Sequence, residues 1–151
     1  MIDAKLASMN LGLLCSNEGL ELAAVIDAVG AGRLPASIRI VIADRHSAAL
    51  TLARSAGIYG IFIPRAPYHA NRDGFERRLV EVLTQAEVQL VVLAGYERET
   101  GPVLAEAFPG RLFGLGLGPE ELAGQLAEKI RAGLFNLVAP PGLAPDPGGR
   151  P

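Results

Sequence analysis

The decapeptide Gln89–Arg98, QLVVLAGYER, limits what this chain can become more than any other stretch. Leu90–Ala94 is a continuous apolar run rich in β-branched residues, too short for a membrane span and unlike the 3.6-residue pattern of an amphipathic helix. A strand with both faces covered by helices reads this way, as interior strands of parallel sheets do. The run stops at Gly95, and Tyr96, Glu97 and Arg98 follow directly. In an open parallel sheet, ligands sit beyond the carboxyl ends of the strands, where the strand order reverses. The other strands are expected to flank this one, with their carboxyl-end loops converging on its loop.

Similar segments recur along the chain. Leu11–Cys15 reads as a strand, followed by turn residues Ser16–Gly19 and a helix Leu20–Val29 closed by Gly30 and Gly32. Ile38–Ala43 is a second strand, with Asp44 placed to cap a helix His46–Ala56. Tyr59–Ile63 is a third strand, ended by Pro64. The polar loop Arg65–Asn71 leads to a helix Arg72–Gln85, whose apolar stripe is Phe75, Leu79, Val82 and Leu83. After the Leu90–Ala94 strand come a helix Gly101–Phe108, a glycine-diluted strand Arg111–Leu117 and an amphipathic helix Pro119–Ala132. Strands alternating with helices predict an α/β, Rossmann-like three-layer fold, a parallel sheet of about five strands with helices on both faces. Residues 1–138 form one domain on this reading. Ala139–Pro151, dominated by Pro and Gly, reads as a disordered tail.

Composition narrows the function classes. A net charge of −2, with no Lys/Arg run, argues against nucleic acid as a partner. No apolar segment approaches the roughly 20 residues of a membrane span, and the N-terminus lacks the apolar core of a signal peptide. Together with the single cysteine, Cys15, this predicts a cytoplasmic protein without membrane attachment.

Few residues carry candidate chemistry. Ser16–Gly19 sits where mononucleotide-binding folds hold a phosphate, but the loop has one glycine, and Glu18 and Glu21 put negative charge beside it. Cys15 reads as a small buried hydrophobe rather than a nucleophile. His46 and His69 have no second ligand at metal spacing, so no metal site is expected. Arg72 and Arg98 should both lie near the carboxyl edge of the sheet, where a guanidinium can clamp a phosphate or carboxylate.

Four segments then carry a family resemblance: ELAAVIDAV (Glu21–Val29), ALTLARSAGI (Ala49–Ile58), RDGFERRLVEVL (Arg72–Leu83) and VVLAGYER with the following Pro102 and FPGRL (Val91–Leu112). In that order and spacing, the chain resembles the phosphoribosylglycinamide formyltransferases, folate-dependent enzymes of purine synthesis. The helix from Pro119 looks like the family's C-terminal helix. The resemblance implies that Asn17, Glu18 and Gly19 stand in the phosphate loop. It puts Arg72 on the family's phosphate-gripping Arg, Gly95 on the glycine ending the strand, and Tyr96, Glu97 and Arg98 in the folate-side loop. It also exposes departures. Leu20 and Glu21 replace the loop's Ser and Asn, Gly114 and Gly116 stand where the family has its catalytic Asn and His, and no segment matches the one bearing its catalytic Asp.

The resemblance therefore implies a formyltransferase relative without catalytic residues or resident cofactor. At most it keeps a remnant pocket for a small phosphorylated ligand, with 10-formyltetrahydrofolate the family's co-substrate. One alternative is an active formyltransferase with relocated catalytic groups, for instance through His69. The other is a self-association or partner-binding domain. The strand Leu112–Leu117, read as an unprotected apolar edge, predicts a homo-oligomer.

Overall fold

A computed structural model describes residues 8–133 and Phe135 of the chain. The Ala139–Pro151 tail expected from composition lies outside the described residues.

The elements run β1 (Met9–Cys15), α1 (Leu20–Gly30), β2 (Ala36–Ala43), α2 (Ala48–Ser55), β3 (Gly60–Phe62), a 3₁₀ turn Ala66–Tyr68, α3 (Arg72–Gln85), β4 (Leu90–Leu93), α4 (Pro102–Ala107), β5 (Leu112–Phe113) and α5 (Pro119–Arg131). All strands pair in parallel, in the order β3-β2-β1-β4-β5. The expected α/β architecture is present.

The order corrects one expectation. β4 is flanked on both sides, but the middle strand is β1. The first two crossovers run outward from β1 to β2 and β3, and α3 then carries the chain back to the other side of β1. The sheet therefore reverses direction between β1 and β4, and the crevice lies at their carboxyl ends.

Strand alternation divides the core into two layers. Leu11, Leu13 and Cys15 of β1, with Leu90 and Val92 of β4, pack against Leu22 and Val25 of α1, Ala49 and Ala53 of α2, and Leu122 and Leu126 of α5. Leu14, Ile40, Ile42, Val91 and Leu93 face Phe75, Leu79 and Leu83 of α3 and Leu104 and Phe108 beside α4. β4 is buried along its whole length, as its unbroken apolar run requires.

Two boundaries differ from the sequence reading. α2 starts later than expected, because the Ser47 hydroxyl, not Asp44, accepts the capping bond from the Ala49 N–H. β5 pairs over two residues only, because Gly114 turns the backbone into the left-handed region at φ 115°. The apolar edge expected at Leu112–Leu117 is thus mostly a turn. Phe113 and Leu117 pack on the α5 side of the core, and the Phe113 ring meets Phe135 edge-on at 5.8 Å.

A buried acid joins the two helices of the second layer. Glu76 on α3 is only 3% exposed. Its carboxylate accepts from the Gly101 N–H at 2.5 Å and from the Leu104 N–H at 2.9 Å, satisfying two amides at the start of α4. α4 has no side-chain cap of its own, so this bond sets its direction. Glu76→Ala is expected to lower stability by about 2–4 kcal/mol, because two buried donors lose their acceptor, measured as the shift in a urea unfolding midpoint. A change below about 0.5 kcal/mol, the size of an ordinary surface substitution, would contradict this role.

Candidate functional site

The crevice is built from three loops that follow β1, β2 and β4, and the chain ties these loops to one another. The ladder between β1 and β4 continues past both strands, with the Ser16 N–H donating to the Gly95 carbonyl at 3.2 Å. The buried Ser16 hydroxyl accepts from the Glu97 N–H at 3.0 Å. Gly95 stands at φ 71°, and a Cβ on it would overlap the Asn17 side chain. This position therefore needs glycine for its conformation and for its space.

Asn17 folds onto its own loop. Its Oδ1 accepts from the Gly19 N–H at 2.9 Å, and its Nδ2 donates to Glu21 Oε1 at 2.7 Å. That is an Asx turn leading into α1, whose N-cap, Gly19, has no side-chain bond to offer. Glu18 reaches to α2 and accepts from the Ala48 N–H at 3.0 Å. Both acids beside the expected phosphate loop are thus held by neighbouring donors.

The loop after β4 is tied down in the same way. Arg98 Nε lies 3.3 Å from Asp44 Oδ2, and the Asp44 side chain is only 1% exposed. Asp44 Oδ1 is buried and has no hydrogen-bond partner among the described residues. Glu97 pairs with Arg45 at 3.0 Å, both side chains about half exposed, so this pair contributes little. Tyr96 turns inward into the α3–α4 layer and is 7% exposed. Burial pushes its phenol up to about 12, with the negative charges of Asp44 and Glu76 adding to the effect.

Arg72 stands apart from these loops. It is exposed and lies beside Gly101 at the start of α4, its Nε 2.5 Å from where a Gly101 Cβ would stand. The structure thus brings Asn17 against Gly95, links Glu97 to the same loop through Ser16 and ties Arg98 to Asp44, but turns Glu18 toward α2, places Arg72 on the α3–α4 side and puts Tyr96 in the core. His46 and His69 are both exposed, and the His46 ring lies on Phe62 at 4.0 Å. Among the described residues no cluster of His, Cys, Asp or Glu could hold a metal ion. None of the described helices is long and apolar enough to cross a membrane.

Beyond β5, Gly114 is buried against the sheet. A Cβ there would lie 2.7 Å from Leu122 Cδ1 and 3.1 Å from the Leu93 carbonyl oxygen. Gly116 is exposed, with open space around it. Neither position offers a hydrogen-bond donor or a base beyond its backbone. A groove of about 610 Å³ runs between α1 and α5, lined partly by Ala23, Ala123 and Gly124, away from these polar groups.

Sequence reading missed Asp44, taken there for a helix cap, and Ser16, taken for turn chemistry. The available signal was position: each directly follows a strand at the carboxyl edge, where side chains face the crevice. It also missed Glu76, which the charged sequence of α3 does not distinguish from its neighbours.

The sequence profile of the formyl transferase family matches residues 9–115. The phosphoribosylglycinamide formyltransferase of Escherichia coli is 30% identical over 108 residues, covering 71% of this chain and 50% of that protein. The Mycobacterium tuberculosis enzyme of the same name is 32% identical over 105 residues, covering 70% and 48%. In structure, glycinamide ribonucleotide transformylase 1 of Symbiobacterium toebii superposes with a TM-score of 0.67 at 36% identity, over 70% of this chain and 50% of that one. The chain thus spans about half the length of the relatives it matches.

Cys15 gives a test of the buried first strand. Burial, with help from Glu21 and Asp44, pushes its thiol up to about 12. The unfolded thiol loses its proton near pH 9 and the folded one only near 12, so stability is full below pH 9 and is lost as pH rises through this window. The raised Tyr96 phenol acts in the same direction. Urea midpoints should fall steadily above pH 9, and a thiol reagent should leave the native protein unlabelled at about pH 8. Rapid native labelling would contradict the assignment.

Proposed function

We propose that this chain, which belongs to the formyl transferase family, is a non-catalytic relative of the phosphoribosylglycinamide formyltransferases. On this reading the crevice keeps the shape of a ligand site with its anion-binding groups mostly engaged. One observation carries the proposal: Gly114, where the resemblance puts a catalytic Asn, lies in left-handed backbone with Leu122 of α5 packed where a side chain would begin. An Asn side chain could enter that space only if the Leu122 side chain moved out of it, and its backbone would be strained at φ 115°. Formyl transfer to an amine passes through a tetrahedral oxyanion that needs aimed donors and a proton acceptor. Gly114 and Gly116 supply neither, and losing one such donor typically costs about 100- to 1,000-fold in rate.

The engaged crevice supports the same reading. Asn17 is bonded to Glu21, Glu18 to α2, and Arg98 to Asp44. Arg72, which is exposed, and Arg65, stacked over Phe75, have no carboxylate partner among the described residues and are left to attract a small phosphorylated ligand. Incubation with phosphoribosylglycinamide and 10-formyltetrahydrofolate should therefore give no product. A turnover number in the ordinary range of roughly 1–1,000 per second would overturn the proposal.

Self-association belongs to this reading, on a separate observation. The sheet ends at the two-residue β5, and Leu115, just beyond it, is 64% exposed. Such a residue next to a sheet edge is suited to being covered by another chain. Light scattering should give more than one chain's mass, reduced to one chain by Leu115→Asp. A monomer in the unmodified protein would remove self-association from the proposal.

A further inference from the structure

The least explained polar atom at the crevice is Asp44 Oδ1, a buried carboxylate oxygen without a hydrogen-bond partner among the described residues. Such an atom is costly in a folded protein and is usually satisfied by something. Asp44 directly follows β2, the neighbour of β1, in a sheet whose first crossover is β1-α1-β2. In the dinucleotide-binding members of the doubly wound folds, an acid about 20 residues beyond the first strand–helix turn accepts a hydrogen bond from the ribose 2′-hydroxyl.

A second observation lies two residues further on. His46 is exposed, and its ring rests on Phe62 at the end of β3, with centroids 4.0 Å apart and planes at 36°. An aromatic ring backed by another and open on one face is a platform on which a nucleobase stacks. The donor-hungry oxygen and the stacking platform thus stand on one loop, on the β2–β3 side of the crevice.

We propose that this edge is a binding site for a ribonucleoside: the ribose 2′-hydroxyl donates to Asp44 Oδ1 and the base stacks on His46. Asp44 Oδ1 is covered in the free protein. Admitting the sugar requires Arg98, 38% exposed and bonded to the other carboxylate oxygen, to move aside. Phosphates on the ligand are disfavoured, because Glu18 and Glu21 place two carboxylates at the neighbouring loop. The site does not rest on the catalytic reading above, and of the β4 loop it involves Arg98, which must release Asp44.

Calorimetric titration of the purified chain with adenosine, 2′-deoxyadenosine and AMP tests this. Adenosine is expected to bind saturably, and removal of the 2′-hydroxyl to weaken binding at least about tenfold, as buried acceptors discriminate strongly against a missing donor. AMP is expected to bind more weakly than adenosine. Asp44→Asn should abolish the preference for the ribo sugar. Because that change also touches the Arg98 pair, the exposed His46→Ala serves as the second variant: it should weaken both nucleosides about tenfold and keep the preference between them. No saturable heat with adenosine, equal affinity for the two nucleosides, or unchanged affinity in His46→Ala would each overturn the proposal.

Discussion

The structure depends on one constraint: β1 and β4 lie side by side with both faces covered, so their backbone groups can pair only with parallel neighbours. The register Leu11 to Leu90 through Leu14 to Leu93 brings the two carboxyl ends to the same level. Ser16 and Gly95 then extend the ladder by one bond, which brings the two following loops into contact. Once Asn17 fills the space beside Gly95, that position accepts only a residue with no Cβ. The crevice is thus a consequence of how two buried strands must end, and α1, α3 and α5 follow as the covers of their faces.

The parts of the fold visible in the sequence were those with an unambiguous physical signal. The unbroken apolar run Leu90–Leu93 meant a strand without a solvent face, and the stripe Phe75, Leu79, Val82 and Leu83 gave the bounds of α3. The alternation of elements then gave the layers. What remained hidden depended on which side of a strand the next crossover takes. That choice puts β1, not β4, in the middle, and no local pattern encodes it. The β5 boundary was overdrawn because Leu115 and Leu117 look like strand residues, while Gly114 decides the turn.

At the site, the loops read from the sequence lie at the carboxyl edge of the sheet, but their hydrogen-bond partners were not legible. Asn17 packs beside Gly95, and Ser16 bonds to both Gly95 and Glu97. Asp44 was read as a cap because it precedes a helix, yet its carboxylate turns inward to Arg98, and Ser47 does the capping. Glu18 and Glu21 were read as repelling an anion from outside. In the structure they also satisfy an amide of α2 and the side chain of Asn17. Hydrogen bonds between segments 30 to 81 residues apart in sequence have no signature along the chain.

The account rests on the claim that the crevice uses its polar groups on itself: acids on caps, Arg98 on Asp44, and helix α5 on the space beside Gly114. Calorimetric titration with inorganic phosphate at low ionic strength, where surface attraction is least screened, tests this most directly. The account expects no saturable binding, or a dissociation constant weaker than about 1 mM, worth about 4 kcal/mol. Binding at about 1 μM, worth about 8 kcal/mol, would require free donors in these loops and would contradict it.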